Sequence, residues 1–328
     1  MSISIPTTFR AYAFDQIGNA TQHVTLRSDA AQEPLEPTQL RVKVASAGLN
    51  PIDWKLAEGI VPLLAHPPTS ENPCRIGFDF VGTVVEVGKS VVDFQLGDEV
   101  YAMPTFAGIG SFAEYFTVPA ELVARKPSNL SFDQAAGIPL AGLTSYQALV
   151  EHGQLKAGQT VLILGGSGGT GSLAIQIAKA VGATVITTTS FRNADWVKKL
   201  GADRVIDYTK EKWGQVIAPH SVDLIYDCGM EPESWNADAQ KVLKPTTGRF
   251  VTIEPIPDQI ESPIGAAAVH FFTRMNGVDM SKLTALAEEG KLVPIIGSVH
   301  PFEQLSEALA AQKSGRAKGK VVLQIVAP

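Results

Sequence analysis

The stretch Gly165-Gly166-Ser167-Gly168-Gly169-Thr170-Gly171 constrains the fold of this chain more than any other. Ahead of it, residues 160–164 form a short apolar run, as in a parallel strand covered on both faces. Behind it, Leu173, Ile177 and Val181 recur four residues apart and make one helix stripe. Strand, glycine loop and helix in that order form a dinucleotide-binding turn. Glycines allow the tight turn and let backbone N–H groups approach a pyrophosphate. The helix then presents its positive end to that anion. Gly166, Ser167, Gly168, Gly169, Thr170 and Gly171 are therefore the expected cofactor loop. A merely structural glycine turn would need neither the strand before it nor the helix after it.

The alternation continues with a strand over 184–188, a helix over 194–200 and strands at 205–206 and 222–226. A helix over 235–243 and a strand over 249–253 follow. This pattern predicts an α/β fold with a doubly wound parallel sheet. Residues 10–125 have a β-rich texture instead. Leu40, Val42 and Val44 alternate with Arg41 and Lys43 as in a half-buried strand, 81–87 is apolar, and Gly97-Asp98 turns into a strand at 99–101. The end of the chain carries helical patterns over 280–289 and 302–312 and a strand over 320–326. That last strand needs partners, and the first β-rich region is where they are expected. The domains are then 1–127, the first part of a β-rich catalytic domain; 128–270, an inserted dinucleotide domain; and 271–328, returning largely to the catalytic domain.

The residues after the second strand indicate which cofactor binds. NAD sites place an acid about 20 positions beyond the loop, on the ribose hydroxyls. Here no Asp or Glu stands between Gly165 and Asp195, and Thr189-Ser190-Phe191-Arg192-Asn193 occupies the region. Ser190 can donate a hydrogen bond to a 2′-phosphate, and Arg192 offers a charged fork. NADPH is the expected cofactor.

A formal charge of −6 over 328 residues argues against nucleic acid as a partner. No apolar run approaches the roughly 20 residues of a membrane span. Met1 to Arg10 lacks the basic start and apolar run of a secretory signal, so a cytoplasmic enzyme is expected. The two cysteines, Cys74 and Cys228, cannot build a four-cysteine zinc site. His23 and His66 form no ligand-spaced cluster with Cys74, so no catalytic zinc is expected either. Without a Lewis acid, alcohol–ketone exchange loses its usual driving feature. Hydride transfer to an activated acceptor, a quinone or a conjugated enone, remains feasible.

Several motifs in order carry a resemblance. They are Asn50-Pro51-Ile52-Asp53-Trp54-Lys55, Gly77-Phe78-Asp79-Phe80-Val81-Gly82, Gly97-Asp98-Glu99-Val100-Tyr101, Leu140-Ala141-Gly142-Leu143-Thr144-Ser145-Tyr146 and Ile206-Asp207-Tyr208. With the glycine loop and the closing Gly315-Arg316-Ala317-Lys318-Gly319-Lys320, the chain resembles the medium-chain dehydrogenase/reductase superfamily. It is most similar to the zinc-free quinone oxidoreductase and alkenal/enone reductase branch. The resemblance implies a Rossmann doubly wound sheet inserted in a GroES-like β-rich catalytic domain, and a homodimer or homotetramer. Zinc-dependent relatives carry cysteine where this chain has Asn50-Pro51, and Gly-His-Glu where it has Gly77-Phe78-Asp79. Carried over by position, Asn50 touches the nicotinamide end or substrate, Thr144 lies near the nicotinamide, and Tyr208 joins Ser190 and Arg192 around the adenosine phosphate.

The relatives' tyrosine acids have no counterpart here: Lys55 stands five residues after Asn50, and Val61 eleven after it. Lys55 is the candidate donor to the oxygen that gains charge, with Asn50 orienting the nicotinamide ribose or carbonyl. A surface lysine paired with Asp53 or Glu58 is the competing reading. The final proton comes from Lys55 or from water. An NADPH-binding protein with a structural or regulatory role, and an enoyl-thioester reductase acting in trans, are the alternative functions.

Overall fold

The computed structural model describes residues 5–64, 66–104 and 110–326, so the first four residues of the N-terminal segment read above lie outside it. The chain forms two compact units. One comprises Met1–Leu140, Met275–Glu288 and Pro294–Pro328; the other comprises Ala141–Arg274 and Glu289–Val293.

In the first unit, strands β1 (Thr8–Phe14), β2 (Thr25–Ala31) and β4 (Cys74–Arg75) make a small antiparallel sheet of order β2-β1-β4. A larger sheet contains β3 (Gln39–Leu49), β5 (Phe80–Val87), β6 (Glu99–Ala102), β7 (Tyr115–Pro119), β8 (Ala124–Arg125), β15 (Ile296–Pro301) and β16 (Lys320–Gln324). Its order is β15-β16-β3-β5-β6-β8, with β7 also on β3. The terminal strand β16 therefore finds the partner its sequence requires: it runs antiparallel to β3, with Val321 opposite Leu49. Leu40, Val42, Val44, Phe80, Val84, Val100, Phe302 and Leu323 form the core between these elements.

The predicted alternation on β3 holds except at Arg41, which is buried. Its guanidinium is bonded to Glu86 Oε2 (2.7 Å), Gln32 Oε1 (2.5 Å) and the Glu33 carbonyl (2.9 Å). The segment after β2 covers this face, and a fully bonded guanidinium can stay under it.

The second unit holds one parallel sheet, β9 (Thr160–Leu164), β10 (Thr184–Thr189), β11 (Arg204–Asp207), β12 (Leu224–Asp227), β13 (Arg249–Thr252) and β14 (Ala267–His270). Its order, β11-β10-β9-β12-β13-β14, reverses direction between β9 and β12, the topological switch of a Rossmann sheet. Leu162, Leu164, Ile186, Ile206, Ile225 and Phe250 are buried in it. The helix expected over 235–243 is two pieces, a 3₁₀ turn at Pro232–Asn236 and a helix at Asp238–Val242. They are separated by Ala237, whose φ −139° and ψ −90° are not helical. The sixth strand, β14, had no clear periodic signal, since it is only four residues long and none of its residues is fully buried.

Candidate active site

The glycine loop sits at the carboxyl end of β9. Gly165 has φ 81°, a left-handed conformation that side chains disfavour. A Cβ on Gly171 would lie 2.3 Å from the Gly165 carbonyl oxygen, so the turn closes only with glycine there. Gly165 N–H donates to Thr188 Oγ1 (3.0 Å) and Gly166 N–H to the Thr188 carbonyl (3.0 Å), which ties the loop to β10. Thr189 and Asn193 both donate to Ser167 Oγ, at 2.8 and 3.2 Å.

The Gly169–Val181 helix starts here with Gly168 as its N-cap, which has no side chain to satisfy the first N–H groups. Ser172 N–H closes on the Gly168 carbonyl at 3.0 Å. The preceding helical N–H groups point out of the helix end, the arrangement that receives an anion. A backbone cradle that closes only with glycine at Gly166 and Gly171 thus fits the pyrophosphate of a dinucleotide.

The next corner lies where β10 and β11 end. Thr189 pairs with Asp207 in register, and Tyr208 N–H reaches the Thr189 carbonyl at 3.2 Å. Ser190 and Tyr208 therefore leave the sheet side by side. Arg192 is exposed in the short 3₁₀ turn that follows. The structure adds Lys210, which sequence reasoning missed: its Nζ lies 4.9 Å from the centre of the exposed Phe191 ring. Its signal was position alone, two residues beyond Tyr208. Two cations, a hydroxyl and a phenol around one corner suit a 2′-phosphate.

Thr144 is buried in the Pro139–Tyr146 helix, with Oγ1 2.6 Å from Thr273 Oγ1. Its neighbour Ser145 places Oγ 3.0 Å from the Thr170 carbonyl, which couples that segment to the start of the glycine-loop helix.

In the other unit, Asn50 caps the Pro51–Ala57 helix, with Pro51 pre-set for its first turn. Asn50 N–H donates to Asp53 Oδ2 at 2.6 Å. The Asn50 side chain faces inward. Its Nδ2 donates to Asp79 Oδ2 (2.8 Å) and weakly to the Gly48 carbonyl (3.3 Å), and its Oδ1 accepts from Lys320 Nζ (2.5 Å). Lys320 Nζ also lies 3.2 Å from Asp79 Oδ2, and Leu140 N–H donates to Asp79 Oδ1 at 2.7 Å. Neither Asp79 nor Lys320 was a candidate from the sequence, because nothing local announces a pair 241 residues apart.

Burial pushes the Asp79 carboxyl up, against the pull of Lys320 and the Asn50 amide. Asp53 is pushed well above the usual carboxylate range, chiefly by burial and secondarily by the Asp79 charge, with the Asn50 N–H opposing. Its Oδ1 is buried without a hydrogen-bond partner. A raised folded-state pKa means that Asp53 contributes stability fully below its unfolded pKa and loses it as pH rises through the folded one. Asp53→Asn keeps an acceptor for Asn50 N–H and should remove that decline. Denaturant midpoints measured from acid to neutral pH should fall less steeply in the variant; an unchanged slope would place the linkage elsewhere.

Lys55 is half-buried in the last turn of the Pro51–Ala57 helix. It is itself engaged in a contact within the protein. Glu58 also receives Lys313 at 2.6 and 2.8 Å, and Asp53 turns its Oδ2 to the Asn50 N–H.

Among the described residues, no group of three or more His, Cys, Asp and Glu side chains could hold a metal ion. Nor is any described helix long and apolar enough to cross a membrane.

Comparisons agree with this architecture. Residues 36–128 match the family described as alcohol dehydrogenase GroES-like domain, and residues 200–323 the one described as zinc-binding dehydrogenase. The chain is 36% identical to a 2-methylene-furan-3-one reductase of Solanum lycopersicum, over 98% of its own length and 80% of that protein's. It is 35% identical to a chloroplastic NADPH-dependent alkenal/one oxidoreductase of Arabidopsis thaliana, with the same coverage, 98% and 80%. Among solved structures, a quinone oxidoreductase from Coxiella burnetii superposes with a TM-score of 0.84 at 31% identity, over 97% of this chain and 100% of that one. A Rossmann sheet with its glycine cradle, a GroES-like β unit and full-length similarity to these oxidoreductases lead to one assignment: the chain belongs to the medium-chain dehydrogenase/reductase superfamily, in the quinone and alkenal/enone oxidoreductase branch.

Proposed function

We propose that this enzyme reduces a quinone or an α,β-unsaturated carbonyl with NADPH, without zinc, and that Lys55 steadies the oxygen on which charge develops. The observation that carries the reading is the corner of Ser190, Arg192, Tyr208 and Lys210, reached with no acid between Gly165 and Asp195, beside a glycine cradle whose helix start has no side-chain cap; the Asp207 carboxylate at that corner is turned to the Phe191 and Thr209 N–H groups. Relatives named for alkenal/one and quinone reduction support the acceptor class.

The cofactor supplies a hydride from the nicotinamide C4 when bound. The glycine loop, from Gly166 to Gly171, holds the pyrophosphate through backbone N–H groups, and Ser190, Arg192 and Tyr208 hold the 2′-phosphate. Thr144 lies on the nicotinamide side. With an enone bound, the Lys55 ammonium would donate a hydrogen bond to the carbonyl oxygen on which charge develops as the β-carbon is reduced. A proton from Lys55 or from water completes the reduction. Asn50, expected from the sequence to orient the nicotinamide ribose or carbonyl, instead has both ends of its buried amide bonded to Lys320 and Asp79, and it contributes from the N-cap position of the helix that carries Lys55.

Two further elements of the reading are a catalytic domain of residues 1–127 and 271–328 with a cofactor domain at 128–270 inserted in its sequence, and a homodimer or homotetramer in the cytoplasm. The two compact units support the two-domain part, although 128–140 fall in the first unit and 271–274 and 289–293 in the second. Relatives assigned to chloroplast and mitochondrion make the compartment a separate question for fractionation.

A panel of a quinone, a short enone and an enoyl thioester, followed by NADPH oxidation, tests the acceptor. Turnover of the first or second at well under one zinc per chain, unaffected by chelator, is expected. Turnover of the thioester alone, or activity lost together with stoichiometric zinc, would defeat the reading.

Cofactor choice has its own test. NADPH should bind at least tenfold more tightly than NADH, about 1.4 kcal/mol. Arg192→Ala should erode that preference through NADPH affinity while leaving NADH binding nearly unchanged. Equal dissociation constants in the unmutated protein would sink the assignment.

A further inference from the structure

We infer that Lys320 is a positioning residue: its buried ammonium locks the Asn50 amide, and through it the start of the helix that carries Lys55. The inference rests on the reading of that helix as part of the reaction site.

The backbone brings the two residues together. β16 runs antiparallel to β3 with Val321 opposite Leu49, and the same register carried one residue further sets Lys320 opposite Asn50. Lys320 is 5% exposed and Asp79 0%, so neither charge is relieved by solvent. The three side chains close a triangle. Lys320 Nζ is 2.5 Å from Asn50 Oδ1 and 3.2 Å from Asp79 Oδ2, and Asn50 Nδ2 is 2.8 Å from the same Asp79 oxygen.

A carboxamide can be turned either way, but its neighbours here leave one choice. An ammonium only donates and a carboxylate only accepts, so Oδ1 must face Lys320 and Nδ2 must face Asp79. The amide orientation is fixed by a charge pair whose two members lie far away in sequence, and this anchors residue 50 itself, whose backbone N–H holds the helix start through Asp53.

The same C-terminal segment holds the outer side of this helix. Trp54 Nε1 donates to Gln312 Oε1 at 2.6 Å, and Lys313 pairs with Glu58 while lying 5.0 Å from the centre of the Trp54 ring. A seven-residue helix has little stability of its own, so its placement depends on such braces. A buried ion pair is weak evidence of stabilisation, because desolvation offsets most of the attraction. Its consequence here is geometric.

The groups facing Asp79 give the proposal a distinctive signature. They are Lys320 from β16, Asn50 and Asp53 from the helix start, and the Leu140 N–H. Without Lys320, Asn50 Oδ1 loses its donor and Asp79 loses the cation paired with it. Protonating Asp79, or replacing it with a carboxamide, removes the unpaired buried charge while leaving an oxygen there to accept from Asn50 Nδ2, so the amide keeps its orientation. A lysine needed merely to fill space has no such remedy.

The experiment is single-turnover NADPH oxidation at saturating quinone or enone, across pH, in four proteins: unmutated, Lys320→Met, Asp79→Asn and Lys320→Met/Asp79→Asn. Lys320→Met should slow hydride transfer about 10²-fold, the scale for a reacting group displaced by about 1 Å. Its NADPH dissociation constant should stay within about twofold of normal, since the change is remote from cofactor contacts. The rate should recover as pH falls. Asp79→Asn alone should also be slow, and the double variant should return to within about fivefold of normal at every pH, a strong positive coupling.

An unchanged rate in Lys320→Met would overturn the proposal. So would a loss that is independent of pH and persists in a folded, NADPH-binding double variant. Lys55→Ala is assayed alongside: a near-normal rate there counts against the Lys55 role, whereas the rescue pattern decides the role of Lys320.

Discussion

Lys55→Ala is expected to slow hydride transfer by roughly 10²–10³, the scale for removing one positioned donor to a developing oxyanion. The expectation starts from where Lys55 stands. The Pro51–Ala57 helix is capped by Asn50 and closed back on itself by Asp53, and Lys55 occupies its last turn, half-buried. Binding of NADPH should barely change, because the interaction belongs to the transition state and not to the cofactor complex. Lys55→Arg should restore only part of the rate, since a planar guanidinium cannot occupy the same point as an ammonium. Single-turnover oxidation of NADPH with a saturating acceptor reads the step directly. Near-normal transfer in a folded Lys55→Ala protein would leave backbone groups or water to hold the oxygen, since the Asn50 amide is already committed to Asp79 and Lys320.

Asp79→Ala should be the most destabilising simple substitution in the first unit, by about 3–5 kcal/mol, the cost of breaking one side of a buried charge pair. The carboxylate receives Lys320, the Asn50 amide and the Leu140 N–H at once, and alanine deprives all three of their acceptor. The Lys320 ammonium would then be left in a site with almost no access to water, where an unpaired charge is costly. The measurement is the shift in denaturant midpoint at unchanged slope. A loss under about 1 kcal/mol would mean that the ammonium swings out to solvent when its partner goes, and that the pair constrains nothing.

The two predictions act on neighbouring residues by different physics, and the contrast separates chemistry from scaffold. Lys55→Ala should leave the midpoint nearly unchanged while the rate collapses. Asp79→Ala should move the midpoint first. Loss of rate in Asp79→Ala then has to be read on the fraction that remains folded.

The cofactor unit was largely legible in the chain because buried parallel strands are built from apolar and β-branched residues: 160–164 is almost wholly apolar, and 184–188 and 249–253 mix Val, Ile, Phe and Thr. These runs became β9, β10 and β13 within about one residue. The glycine loop was legible for a related reason. A turn that brings a backbone carbonyl within 2.3 Å of a Cβ position admits little but glycine at Gly171, so the constraint is written in residue type. Where the rule weakens, the reading failed. Strand β15 alternates half-buried and exposed residues and includes Gly297 and Pro301, so its run of residues had no periodic core face to announce it. The break at Ala237 likewise has no glycine or proline of its own to mark it.

Sequence by itself determined the strand–glycine–helix turn, the absence of an acid before Asp195, and the need of the last strand for a distant partner, because each follows from local pattern and residue chemistry. Only the tertiary structure decided that β16 lies on β3, that Lys320 thereby reaches Asn50 and Asp79, and that Lys210 stands over Phe191. Periodicity reports which face of an element is buried, and a motif reports which backbone geometry a loop requires. Neither carries information about which two buried charges meet: a lone Asp or Lys looks the same in a string of letters whether it is solvated or paired. Strand register sets that pairing, and register is fixed by the packing of the whole sheet.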